Sequence, residues 1–400
     1  MKGHPFLKIV TSMIILIGLL ACNEVGNHSG TEYLDLENTL GKTKTIDVSD
    51  IAFELEYVKL ETTSASLIGS LMGRTPAIQI DDYYLISQRE SPPLLFDTNG
   101  KFIREIGSIG RGPGELTNEY SVVANPGDKQ IYILTNFGRD IRVYDLNGQF
   151  VRDVIVDNLL TFSLVKNDLF IGAVSTNPFD EARSYNYLLF NDKGETITTY
   201  KISGYADKAL SGSTPDLIRS YVVRPTLSPT RTGTNINTHL NDTLFKVLPD
   251  GSLESSFCWD LGKYKSPLSP EEQATADRTI TQKYAQYVNA HETNKYWVIS
   301  FSLENRQRIC LYDKSSGETF ELDSNGINED PLYGFLLMAL LAPDDEQFYP
   351  FTPAFIKKIV ESESFSKLEE NMPNEAHELI ALSNSLKADA NPVIMKIKIK

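Results

Sequence analysis

The side chains able to do chemistry are few and widely spaced. The 400-residue chain has five histidines, His4, His28, His239, His291 and His377, and a zinc hydrolase would need about three of them in one place. Oxygen ligands are better supplied. Asp81, Asp82, Asp140, Asn167 and Asp168 have the chemistry for calcium, although acids and amides at strand ends also serve as ordinary turn formers. No Gly-x-Ser-x-Gly elbow occurs, and no serine or cysteine stands in a recognisable nucleophile context. The run Gly110-Arg111-Gly112-Pro113-Gly114-Glu115 has the look of a phosphate loop. It lacks the Lys-Ser ending, however, and leads into a strand where an anion-binding loop leads into a helix. Its glycines read as the backbone needs of a turn, with Arg111 and Glu115 either paired across that turn or facing a ligand.

Binding chemistry is better represented than catalytic chemistry. The chain carries 19 Tyr, 19 Phe and 2 Trp, with Tyr284, Tyr287 and Tyr296 close to Trp297. Aromatic faces stack on sugars, but at alternating strand positions they more often fill a core. The segment 204–239 has few strand signals and holds Tyr205, Arg219, Tyr221, Arg224 and Arg231. Together with Arg111 and Glu115 these are the candidate ligand-binding residues, because loops carry function more often than strands do. No catalytic residue, metal ligand or cofactor is assigned, and calcium is the metal the composition would admit. The formal net charge of −15 disfavours nucleic acid as a partner.

The elements that must position these residues follow a period. Phe96-Asp97-Thr98-Asn99-Gly100-Lys101-Phe102 and Tyr144-Asp145-Leu146-Asn147-Gly148-Gln149-Phe150 are the same hairpin, read as two strands around a two-residue Asn-Gly turn. Five such hairpins are visible, over 94–107, 141–155, 187–201, 242–260 and 309–322. Their turn glycines, Gly100, Gly148, Gly194, Gly251 and Gly317, are 48, 46, 57 and 66 residues apart. That is the period of a β-propeller, in which each blade is one small sheet. The chain ends in alternation, Met395-Lys396-Ile397-Lys398-Ile399-Lys400, which reads as one half-buried strand with no turn after it. An open ring would leave unpaired edges, so this strand is expected to complete a composite blade with the N-terminal region that includes residues 53–60. The count is then six, with seven the nearest rival. Helices are expected in two insertions, at about 267–292 and 330–390, lying over one mouth of the ring either as a cover for an apolar face or as a lid.

The first residues carry an address. Lys2 and Lys8 precede an apolar run from Ile9 to Ala21, which stops at Cys22 and is short for a membrane span. Residues 1–21 read as a signal peptide, 22–40 as a polar tether, and 41–400 as a single propeller domain. Apart from Cys22 the cysteines are Cys258 and Cys310, each in an apolar strand-like run. They read as buried thiols, with a disulfide as the alternative in an oxidising compartment.

The Cys22 signal resembles that of bacterial lipoproteins, and the absence of an aspartate after it resembles outer-membrane sorting. The stretch 107–151 resembles the repeat of NHL-type propellers. The opening Tyr57-Val58-Lys59-Leu60-Glu61-Thr62, the 110–115 motif and the closing Asn391-Pro392-Val393 resemble six-bladed propeller lipoproteins of Bacteroidetes, in the NHL/TolB-like superfamily. The resemblance implies an all-β, six-bladed propeller closed by pairing of its N- and C-terminal strands, held to the envelope by an acyl anchor on Cys22. It implies a binding or scaffolding role, for glycan or nutrient capture or with an envelope protein as partner. The alternative it leaves open is a calcium-dependent hydrolase or lactonase-like propeller.

Overall fold

A computed structural model describes residues 32–46, 48–71, 77–117, 121–156, 159–174, 186–202, 226–237, 242–268, 278–323, 330–340 and 346–399. Six sheets form the blades of a propeller ring. Blades 1 to 5 occupy residues 77–105, 121–155, 159–200, 226–260 and 286–322, each a four-stranded antiparallel meander. Blade 6 is built from both ends of the chain. Its strands, from the inside outward, are Glu346–Phe351, Val393–Ile399 and β3 (Ala52–Lys59). All five hairpins expected from the turn glycines form, and the terminal strands pair as expected, with Met395 opposite Tyr57.

Four of the five hairpin turns hold three residues, where the sequence suggested two, and the fifth, between Asp313 and Glu318, holds four. Gly100 donates to the Asp97 carbonyl at 2.9 Å, and Asp97 N–H donates to the Lys101 carbonyl at 2.9 Å. The Asp97 carboxylate accepts from the backbone of Asn99 and Lys101, both at 2.9 Å. This is a type I turn closed by a glycine bulge, and Asp145 and Asn191 organise theirs in the same way. The glycine has two reasons to be there. Its φ is +80° at Gly100 and +82° at Gly194, and a Cβ would stand 2.2 Å from the Lys59 carbonyl oxygen or 2.4 Å from that of Ile155. The turns of blades 1, 2 and 3 therefore tuck against the outer strand of the preceding blade, and there one short motif makes both the hairpin and the joint between blades.

Ring closure converges on Asn391, which is 1% exposed. Its Oδ1 accepts from Ile68 N–H at 2.9 Å, and its Nδ2 donates to the Glu61 and Ser66 carbonyls, both at 2.6 Å. Its own N–H donates to Thr62 Oγ1 at 2.9 Å. Glu61 in turn donates to the Gly100 carbonyl at 2.7 Å and accepts from Phe102 N–H at 2.9 Å. The last strand, the first complete blade and the segment leaving β3 are thereby joined through one amide. An aspartate could not supply the two donors, and a leucine could supply none.

Alternation explains the C-terminal strand. Val393, Met395, Ile397 and Ile399 enter one core, while Lys396 and Lys398 take the other face. There Lys396 bridges Glu56 (3.4 Å) and Glu346 (2.8 Å), linking all three strands of the blade.

Several boundaries differ from the sequence reading. The tether does not extend to residue 40. β1 (Glu32–Asp35) pairs in parallel with the outer strand Leu253–Asp260 of blade 4, and Leu34 and Leu36 are fully buried. β2 (Thr43–Lys44) pairs in parallel with Thr319–Leu322 of blade 5, so the propeller begins at β1 and not at residue 41. These short strands are legible only through the edges they cover. In the first insertion, helix among the described residues is one turn, Arg278–Thr281, and Gln286–Glu292 is the innermost strand of blade 5. The second insertion holds the expected helices Pro331–Leu340, Pro353–Val360, Phe365–Asn371 and Pro373–Ser385. It also contains the strand Glu346–Phe351, an aromatic run too short to register against the helical background. Leu332, Phe335, Ile356, Ile359, Leu368 and Leu379 share one core with the facing sides of blades 5 and 6. They cover apolar surface, as their spacing allowed.

Replacing Asn391 with Ala removes three side-chain hydrogen bonds and takes the partner from the Ser66 carbonyl and the Ile68 N–H, a cost of about 3 kcal/mol. Denaturant unfolding of N391A is expected to show that loss. A change within experimental error would show that the closure does not depend on this amide.

Candidate functional site

The crevice between blades 4 and 5 differs from the other blade seams. Along Gly233–Asn237, the second strand of blade 4, side chains alternate. Thr234 and Ile236 turn towards blade 3, where Thr234 donates to the Leu164 carbonyl at 3.2 Å. Asn235 and Asn237 therefore turn towards blade 5, and Lys246 stands opposite Asn235 in the neighbouring strand. On the inner strand of blade 5, Val288 and Ala290 enter the seam core and Glu292 continues the same face. Further out the seam is apolar, with Phe257 stacked on Trp297 at 4.9 Å and Ile299, Phe301 and Leu303 around them. The two inner strands of blade 4 contribute no side chain to that core. In their place they present Thr226, Ser228, Asn235 and Asn237, all buried.

Glu292 is the centre of the polar region. Its carboxylate accepts from Lys246 (2.8 Å), Lys314 (2.9 Å) and Asn235 Nδ2 (3.0 Å). Burial pushes its pKa up, but the hydrogen bonds from Lys246, Asn235 and Lys314 outweigh that and hold it below the ordinary value of 4.5. Lys246 also donates to Thr232 Oγ1 (3.1 Å), and Lys314 to the Thr293 carbonyl (2.6 Å). Lys314 lies 4.4 Å over the Trp297 ring, whose indole N–H is taken by Glu32. One carboxylate thus faces two ammonium groups.

Beside this cluster are amide atoms without partners. Asn235 and Asn237 are each 1% exposed, and Asn235 Oδ1 and both polar side-chain atoms of Asn237 make no hydrogen bond. Leaving a buried polar group unpaired costs about 1–3 kcal/mol, so such groups call for an explanation, and a ligand is one. The arrangement can offer hydrogen bonds in both senses and a local excess of positive charge. Among the described residues it brings no nucleophile and base into contact, and His291 alternates to the opposite face of its strand from Glu292. Among the described residues no three His, Cys, Asp or Glu side chains stand close enough to hold a metal ion. Asp81 pairs with Lys129 at 2.9 Å, and Asp140 accepts from Asn136 at 2.7 Å. Asp81 and Asn167 have φ of +47°, as turn residues do.

The residues singled out from sequence are dispersed. Glu115 closes its own loop, accepting from Gly112 N–H at 2.8 Å, while Arg111 is exposed and has no ion-pair partner among the described residues. The loop packs on blade 2, where Tyr144 donates to the Gly114 carbonyl at 2.8 Å. Arg231 is exposed on the turn that carries Thr232, so it belongs to the rim of the crevice. Tyr205, Arg219, Tyr221, Arg224, His239 and Cys22 lie outside the described residues. Tyr296 and Trp297 are buried on opposite faces of one strand and form no platform, whereas Tyr287 is 73% exposed. Cys258 and Cys310 are buried thiols and form no disulfide. Asn235, Asn237, Lys246, Glu292 and Lys314 escaped the sequence reading because about 80 residues separate the first from the last. The one available signal was the pair of asparagines at alternate positions of a strand, where that residue is uncommon. A cleft of about 620 Å³ lies at the seam of blades 6 and 1, lined by Lys59, Glu61, Asn99, Lys101, Lys387 and Asp389.

A family model described as Domain of unknown function (DUF4934) matches residues 31–398. Among solved structures, the chain is similar to a Bacteroides fragilis protein described as exported, with a TM-score of 0.60 and 13% identity over 92% of this chain and 99% of that one. At that identity the likeness concerns fold. A member of the DUF4221 family from Bacteroides vulgatus gives a TM-score of 0.41 at 10% identity over 67% of this chain and 84% of that one. BamB from Moraxella catarrhalis gives 0.36 at 10% over 66% and 65%. Neither of these carries an argument. No curated protein matches the chain. Among the described residues no helix is long and apolar enough to cross a membrane.

Because the folded Glu292 carboxylate titrates below its ordinary value of 4.5, its ion pairs contribute fully above that value and are lost as pH falls through the folded pKa. Glu292→Gln leaves two buried ammonium groups facing each other, a cost on the order of 2–3 kcal/mol for a partly accessible cluster. Thermal unfolding at several pH values is expected to find E292Q less stable at pH 7 and the difference narrowing towards pH 3. A pH-independent gap would show that the loss comes from packing.

Proposed function

The chain belongs to the DUF4934 family, and on that footing we propose that it is an exported, lipid-anchored propeller that captures a polyhydroxylated ligand, such as a glycan fragment, at the outer membrane. The crevice between blades 4 and 5 is its binding site. The observation that carries this reading is Asn237, a fully buried amide whose donors and acceptor are all unspent, beside a second amide with a free oxygen. Sugar hydroxyl groups both donate and accept, and so match an amide on each count. Enzymatic action is not part of the proposal, since the crevice brings no nucleophile to a base. The anchor is the Cys22 signal.

A thermal-shift screen of the purified protein against envelope and dietary glycans, with calcium and chelator arms, tests the capture reading. A ligand at a hundredfold excess over Kd adds about 2.7 kcal/mol to the folded state. The wild type is expected to gain stability with one glycan class, insensitively to chelator, and Asn237→Ala to lose that gain. A gain that Asn237→Ala leaves intact removes the crevice as the site, and one that depends on calcium would favour the hydrolase reading. For the anchor, Cys22→Ser is expected to move the protein out of the membrane fraction. Retention there would refute acylation at that residue.

A further inference from the structure

We propose that the ligand of the crevice is an acidic sugar, bound with its carboxylate at Lys246 and Lys314 and its hydroxyl groups towards Asn235 and Asn237. This rests on the capture reading above and specifies its ligand. In a chain of net charge −15, the crevice has the opposite local sign. Glu292 is the one carboxylate within 4.0 Å of either ammonium group among the described residues. Glu32 is held at the indole edge of Trp297, while Lys314 lies over the face of that ring. One positive charge is therefore left without a counter-charge in direct contact, and Arg231 adds another on the adjoining turn.

The donors left over point the same way. An ammonium group has three. Lys246 uses its donors on Glu292 and Thr232, and Lys314 uses its own on Glu292 and the Thr293 carbonyl, so each keeps one. Asn235 uses one amide hydrogen on Glu292 and keeps its oxygen. Both ammonium groups stand at the Glu292 carboxylate, and an amide with nothing bound lies two residues along the strand from Asn235. Lys314 and Glu292 keep 21% and 17% of their side chains accessible, against 9% for Lys246, so the charged end meets solvent. Asn235 and Asn237 are two residues apart on one strand, a spacing of roughly 7 Å. A hexuronate carries its carboxylate and its ring hydroxyl groups over a comparable length. A neutral sugar would leave the surplus charge unanswered, and a simple carboxylate such as acetate would leave Asn237 unpaired.

Isothermal titration of the full chain with digalacturonate and with neutral digalactose tests the inference. Wild type is expected to prefer the acidic disaccharide by at least about tenfold, and the preference to shrink with added salt. Lys314→Met and Lys246→Met are expected to abolish that preference while weak neutral binding persists, and Asn237→Ala to weaken both ligands. Equal affinity for the two disaccharides in wild type overturns the acidic-sugar inference and leaves the capture reading standing. Binding of neither overturns both. Should Lys246→Met fail to fold by circular dichroism, Lys314→Met and the wild-type preference decide the matter.

Discussion

A sheet edge left unpaired in water invites other chains, and the architecture of this protein follows from avoiding that at the place where its ring begins and ends. The seam is made by Val393–Ile399 lying between Glu346–Phe351 and β3, so that both ends of the chain sit in one sheet. Asn391 fixes the register at which this happens, because its amide can be satisfied only when residues 61–68 and the last strand are both in place. The hairpin turns propagate the same logic around the ring. Gly100, Gly148 and Gly194 each allow their turn to press against a carbonyl of the preceding blade, so an error in one of these blades is felt by the next.

Outer edges are handled by the chain's own N-terminal segment and its helices. β1 and β2 add parallel strands to blades 4 and 5 before the chain enters blade 6 as β3. Glu321 helps to hold that strap, being 2% exposed, paired with Arg308 and accepting from Gly41 N–H at 2.8 Å. The helices that precede and follow Glu346–Phe351 fill the core shared by blades 5 and 6. Among the described residues blades 2 and 3 have no such cover, and Phe150, Val151, Ile155 and Ile197 are exposed on their outer strands.

The crevice between blades 4 and 5 departs from this economy of burial. Other seams bring apolar side chains in from their inner strands, but here asparagines and an ion cluster take those positions. A seam filled with valine and leucine would be at least as stable, since burying charges seldom repays their desolvation. Polar residues kept at such a cost are characteristic of binding sites, and that is the basis for placing function at this seam and not at the open cleft between blades 6 and 1.

The sequence by itself determined the blade period, the place of each turn glycine and the amphipathic last strand. Each depends on residues within a few positions of one another, so the physics is local. It also showed that Met395 to Ile399 must find a partner sheet, because an alternating strand has one face to bury and backbone edges to pair. Tertiary structure alone decided the rest. That Leu34 belongs to blade 4, that Gln286–Glu292 is strand, and that the helices share a core with two blades all depend on which surface needed covering. The site was hidden for the same reason. Asn235, Lys246, Glu292 and Lys314 are ordinary residues in the chain, and their chemistry exists only because ring closure sets two blades face to face.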